Sequence, residues 1–375
     1  MNSINQFFKE IDCHFQCYNM GRLIQPIDKH DFIDFEQNQQ PWYSPFLQQA
    51  WLAIIFWQEP QLDKEPQHST KPNKHTVWFL KLPLDEQAKI NQVARDDFLR
   101  RLLSVLGKPQ QSTAEKLNAL ESALKDNPYG FQPKDEQLAN FHAIVHSQFS
   151  LPASHYYKAT QKYFSDSSNL KQWHQLGLQG IADFTARLNE SYNNKTNEQL
   201  LINSIKHCPL PVLQALGNSL ENHYCSEALT LAIYNRLNLA LEQDIDKIEQ
   251  VTFCTTAIRA TAQTQDKTLQ QQLLNNILKS DAGKDIEVLA TIAGRCWLLM
   301  TNSQFLSVFL ETLARTDSLI EQDIQQQAAF NSIISDLIFI PGLRKPILEK
   351  FRSQERSPAL TQAIGVFFQQ SLKKA

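Results

Sequence analysis

Three groups of side chains could bind a metal or move protons. Cys13-His14-x-x-Cys17 puts two thiols and an imidazole close together. Zinc sites of this kind take a second ligand pair from elsewhere, and no C-x-x-C supplies it. On a strand, Cys13 and Cys17 share one face while His14 points to the other, as two small apolar thiols against a core would. His207, Cys208, His223 and Cys225 form the second group. They flank a helix expected from Pro211 to about Leu220, whose ends lie about 15 Å apart, too far for one ion. His142 and His146 stand at i and i+4, the H-E-x-x-H spacing, but Ala143 replaces the glutamate base. His155 is a third ligand if the next helix brings it near. Histidines on a helix–helix seam are the simpler reading, and no metal or cofactor is expected.

Nucleophilic catalysis finds no support, since there is no G-x-S-x-G elbow. Asp96 with Asp97, and Asp135 with Glu136, are adjacent acids that diverge by about 100° on a helix. No residue is assigned a catalytic role. Arg22 follows Gly21 at a break between strands, and its planar fork suits a carboxylate or a phosphate. Pairing with Asp12, Asp28 or Glu36 is the competing reading. Trp51 and Trp57 share a strand face with Ala53 and Ile55, opposite Leu52, Ile54 and Phe56. A strand apolar on both faces is covered twice or contributes an interaction surface. The candidate binding residues are therefore Gly21, Arg22, Trp51, Trp57, His142 and His146.

The elements that must position them follow from periodicity. Ser3-x-x-Gln6 is a capping box before Phe7, Phe8 and Ile11. Strands are expected at Phe15–Met20, Leu23–Ile27, Ala50–Trp57 and Thr76–Leu82, with a brief helix over Asp31–Gln39. A long loop carrying Pro60, Pro66 and Pro72 separates the last two strands. Asp85–Leu106 repeats apolar residues at helical spacing. The order α-β-β-α-β-β-α predicts a small antiparallel sheet with helices on one face. Residues 107–116 read as a linker, within which Ser112 can cap a helix that runs to Lys125. Helices are expected over Lys134–Ser147 and between Pro152 and Asp166, then near 210–221, 226–241, 245–263 and 267–279. One apolar stripe runs from Ile286 to Met300, and Phe305 to Leu313 form the next.

The fold class is thus α+β and predominantly α, with a small α/β domain over 1–107 and an all-helical array over 108–375. Two helices consume roughly 30 to 40 residues, the size of helical-hairpin repeats. A solenoid and an irregular bundle both remain open.

Composition narrows the function classes. The 375 residues are 42% hydrophobic and 20% charged, with a formal net charge of −3. That balance gives no basic footprint, so nucleic acid is not an expected partner. The opening residues lack a secretory n-region, no apolar run spans a bilayer, and six scattered cysteines suit reduced thiols. A cytoplasmic location is the expectation. Only 10 glycines occur and no phosphate loop is present, which argues against a Rossmann or P-loop enzyme.

Several blocks carry a likeness to a known family. They include Tyr18-Asn19-Met20-Gly21-Arg22, Leu47-Gln48-Gln49-Ala50-Trp51-Leu52-Ala53, Val77-Trp78-Phe79-Leu80-Lys81-Leu82-Pro83 and Gly177-Leu178-Gln179-Gly180-Ile181-Ala182-Asp183. On these the chain resembles the bacterial family known as domain of unknown function 3549. The resemblance covers most of the chain and is densest before residue 185. It implies that the two parts belong together, and it carries over no activity, cofactor or site residue. The expected function is a non-enzymatic adaptor presenting helices to a protein partner. The alternative is an enzyme or small-molecule sensor with a pocket between the two parts, using Arg22 and His142 or His146.

Overall fold

In the computed structural model, which describes residues 3–58, 75–106, 124, 127–319 and 328–374, the chain falls into two compact units. The expected linker and the proline-bearing loop lie outside the described residues, as does nearly all of the helix expected from Ser112.

The first unit comprises residues up to Lys134 together with Phe339–Pro341. Its order is α1 (Ile4–Glu10), β1 (His14–Asn19), β2 (Gln25–Ile27), α2 (Lys29–Glu36), β3 (Gln49–Trp57), β4 (Thr76–Pro83) and α3 (Gln92–Leu106). The four strands form one antiparallel sheet in the order β2-β1-β3-β4. Alternation along β3 sends Leu52, Ile54 and Phe56 to the face covered by the helices, where they pack with Phe8, Trp78 and Phe98. Ser3 caps α1 by accepting from Gln6 N. The Glu36 carboxylate at the end of α2 also accepts from Ile4 N at 2.7 Å and Asn5 N at 3.1 Å, so it meets amide donors that α1 cannot satisfy itself. Arg95 of α3 donates to the Glu36 carbonyl at 2.7 Å and joins the three helices.

Two local departures have clear causes. The helix expected from Asp85 begins only at Gln92. Asp85 Oδ1 instead accepts from Gln87 N and Lys89 N, Ala88 adopts a φ of 59°, and Asn91 Oδ1 takes Ala94 N. This unit also runs past the expected boundary at 107, since residues 129–131 pair with β4. Lys81 N donates to Tyr129 O at 2.8 Å, and Phe131 N to Phe79 O at 3.1 Å.

The second unit holds the remaining helices: α4 (Asp135–Gln148), α5 (Tyr157–Ser165), α6 (Leu178–Thr185), α7 (Asn197–Ser204), α8 (Leu210–Leu220), α9 (Glu227–Leu241), α10 (Lys247–Ala260), α11 (Lys267–Lys279), α12 (Ile286–Arg295), α13 (Ser303–Leu319), α14 (Ala328–Ile338), α15 (Arg344–Arg352) and α16 (Pro358–Lys374). It is not wholly helical, because β5 (Ser191–Tyr192) and β6 (Lys195–Thr196) form a hairpin before α7. Asn193 and Asn194 turn it, both at positive φ, which asparagine tolerates. Ser226, Asp246, Asp266 and Asp285 each cap the helix that follows. Even-numbered helices pack in one row, α4 on α6, then α8, α10, α12 and α14. The odd-numbered ones form a second row, α5 on α7, then α9, α11 and α13. The stripe expected from Ile286 to Met300 is one helix only to Arg295. Cys296 leaves helical geometry, and Trp297–Thr301 is a 3₁₀ segment.

Candidate functional site

Within the first row, helices α8, α10 and α12 pack side by side and bring three charged residues together. Glu221 is the residue after α8, Arg259 stands in the last turn of α10, and Arg295 ends α12. A cation near a helix C-terminus is favoured by the exposed carbonyls, whereas Glu221 at the same place is not. The two arginines compensate. Arg259 Nη1 donates to Glu221 Oε2 at 2.7 Å, and Arg295 Nε donates to the same oxygen at 2.6 Å. The Glu221 side chain is 10% exposed, that of Arg259 30% and that of Arg295 20%. One carboxylate therefore faces two guanidiniums at the rim of the row.

The surroundings hold the arrangement in register. Cys225, between α8 and α9, and Thr264, between α10 and α11, pair as a parallel bridge, and the Thr230 and Thr264 hydroxyls share a hydrogen bond of 2.7 Å. Gln270 of α11 donates to Thr261 O at 2.8 Å and reaches Cys296 Sγ at 3.6 Å. Burial pushes the Cys296 thiol up to about 12, against the pull of Lys267 and Arg295, so it is no nucleophile near neutral pH. His223 follows Glu221 by two residues. Its Nε2 is buried with no hydrogen-bond partner, and burial drives its pKa down to about 4.

The residues singled out from sequence lie elsewhere. Gly21 is not in a left-handed conformation. A Cβ there would meet Phe46 Cβ at 3.2 Å, a tight contact. Arg22 is 1% exposed, with Nε donating to Pro45 O at 2.9 Å and its guanidinium over the Phe46 ring, so the fork faces the fold and not solvent. Trp51 Nε1 donates to Phe46 O at 2.9 Å, and its ring packs edge-on against Phe131. Trp57 stacks on His14. Between these half-buried tryptophans, Ala53 and Ile55 are fully buried, so the second sheet face is covered at its centre. His142 is exposed, His146 Nδ1 lies 3.0 Å from Pro152 O, and His155 packs on Tyr156. Among the described residues, no three His, Cys, Asp or Glu side chains converge as metal ligands.

A family described as protein of unknown function (DUF3549) matches residues 1–368. The chain belongs to that family. No curated protein and no solved structure gives a significant match. The DUF3549 match spans both units, in keeping with likeness blocks on either side of Lys134.

Sequence reading of this DUF3549 chain missed Glu221, Arg259 and Arg295. A signal was present, since the three recur at the period of the helical hairpins and each falls at a helix end. Reading it requires knowing that alternate helices pack, because adjacent helices in sequence put these residues in separate loops.

Proposed function

We propose that this chain is a non-enzymatic binding or adaptor protein whose helical array presents a surface to a protein partner. The observation that carries this reading is the pair of helix rows. Hairpins of roughly 40 residues stacked in this way form the extended surfaces through which helical-repeat proteins bind others. Large apolar side chains standing exposed on the array, Ile248 and Leu298 among them, offer anchor points for such a partner. The reading takes the protein to work in the cytoplasm, in accord with six cysteines that are all free thiols.

The test is affinity capture of the tagged full chain from native lysate, followed by reconstitution with the purified captured protein. Variants Ile248→Asp, Leu298→Asp and Trp57→Ala are compared with wild type. A stoichiometric complex, weakened by one array substitution in a folded variant, is the expected result. If no protein reconstitutes and all variants behave alike, the adaptor reading fails.

A further inference from the structure

We propose that Arg259 and Arg295 form a receptor for a phosphate-class oxyanion at the rim where α8, α10 and α12 end. This site stands apart from the adaptor reading and does not depend on it.

The argument starts from charge. Two guanidiniums share a single carboxylate oxygen, so the triad keeps one uncompensated positive charge. Lys267 stands nearby: its Nζ donates to Gln270 Oε1 at 3.3 Å, and Gln270 Nε2 reaches Sγ of Cys296, the residue after Arg295, at 3.6 Å. Two guanidiniums against one acid suit an anion, and phosphate groups carry nearly two negative charges near neutral pH. The chain as a whole has a net charge of −3, so this local excess is not a general property of its surface.

Geometry supplies the donors. Each arginine spends one N–H on Glu221, and their other N–H groups have no further hydrogen-bond acceptor among the described residues. Both side chains are partly open to solvent. Because they donate to one oxygen, their bonded nitrogens lie within two hydrogen-bond lengths of each other. That brings the two guanidiniums close together, and neighbouring guanidiniums suit a multi-oxygen anion. Glu221 holds them there and offsets their mutual repulsion while the site is empty. An arriving phosphate replaces solvent on the remaining donors.

The probe is inorganic phosphate at pH 8, titrated into the full chain by calorimetry against chloride at matched ionic strength. A parallel titration uses glycerol 3-phosphate, a phosphomonoester. Saturable phosphate binding is expected, weakened about tenfold or more in Arg259→Gln and in Arg295→Gln, each checked for fold by circular dichroism. Arg295→Lys keeps the charge but loses the fork, and is expected to bind with intermediate affinity. Glu221→Gln keeps an oxygen for both donors and removes the competing charge, so it is expected to bind several-fold tighter. A triad that only clamps helices would make Glu221→Gln less stable and leave anion binding unchanged. Tighter binding of the ester assigns the phosphate to a larger molecule, and equal binding assigns it to the free anion. If phosphate binds no better than chloride, or if folded Arg259→Gln and Arg295→Gln variants bind it like wild type, the proposal is overturned.

Discussion

Gly217 of α8 faces Thr256 of α10 so closely that a Cβ on the glycine would lie 2.9 Å from the Thr256 carbonyl oxygen. This approach lets the two helices run near enough for Glu221, one turn further on, to meet Arg259. Alanine at 217 gains up to about 1 kcal/mol of helix propensity, but the opposing atoms are helix backbone and cannot swing away. Overpacking of this kind costs about 1–3 kcal/mol, so it wins. Gly217→Ala is expected to lower stability by about 1–2 kcal/mol in urea unfolding. A more stable variant would show that the helices separate freely.

The turn into β3 carries the opposite expectation. Leu47 and Gln48 both have positive φ, at 50° and 60°, between the bridged Phe46 and Gln49. A tight hairpin turn with two such residues favours Asn-Gly, and an L residue pays a steric penalty there. The double variant Leu47→Asn, Gln48→Gly is expected to raise stability by about 1 kcal/mol. Unfolding of both proteins in one urea series checks it.

Acid should weaken the fold through His223. Its pKa falls from the usual 6.5 to about 4 on folding, because burial strips the charged imidazole of solvent. Between these values the unfolded chain binds the proton and the folded chain does not, so stability is lost as pH falls from 6.5 towards 4. By pH 5 the loss is about 2 kcal/mol, which His223→Gln is expected to abolish. Urea midpoints at pH 7 and pH 5 for both proteins give the comparison, and equal drops would exclude His223 as the cause.

Asp183 and Arg187 form an ion pair of 2.9 Å whose side chains are 1% and 4% exposed. Asp183 also accepts from Ser154 N at 3.0 Å, and Arg187 donates to Leu151 O. Asp183→Ala leaves the buried guanidinium only its longer pair with Glu190, at 3.4 Å, and is expected to cost up to about 3–5 kcal/mol. The surface pair Lys345–Glu349, at 4.0 Å, is expected to contribute nothing measurable. Thermal unfolding of Asp183→Ala and Glu349→Ala separates the two cases.

The features that were legible in the sequence are those written in local pattern. Alternation in Ala50–Trp57, stripes at helical spacing and the cap at Ser3-x-x-Gln6 are each written within a few residues, and each matches an element of the fold. What failed depends on neighbours distant in sequence. Gly21 suggested an unusual turn, yet what crowds it is Phe46, 25 residues away in sequence. Arg22 looked available to an anion, but nothing local reveals that Pro45 and Phe46 close over it. The Leu47-Gln48 turn was unreadable for another reason: neither residue type favours the conformation it adopts.

Glu221 also has a consequence for how the array comes apart. Stacked hairpins that touch only their neighbours are free to unravel one at a time from an end. Here a single carboxylate oxygen reaches across two successive hairpin boundaries, from the loop after α8 to the end of α12. The segment from Leu210 to Arg295 is therefore expected to unfold as one cooperative block, with fraying from the C-terminal end halting at Arg295.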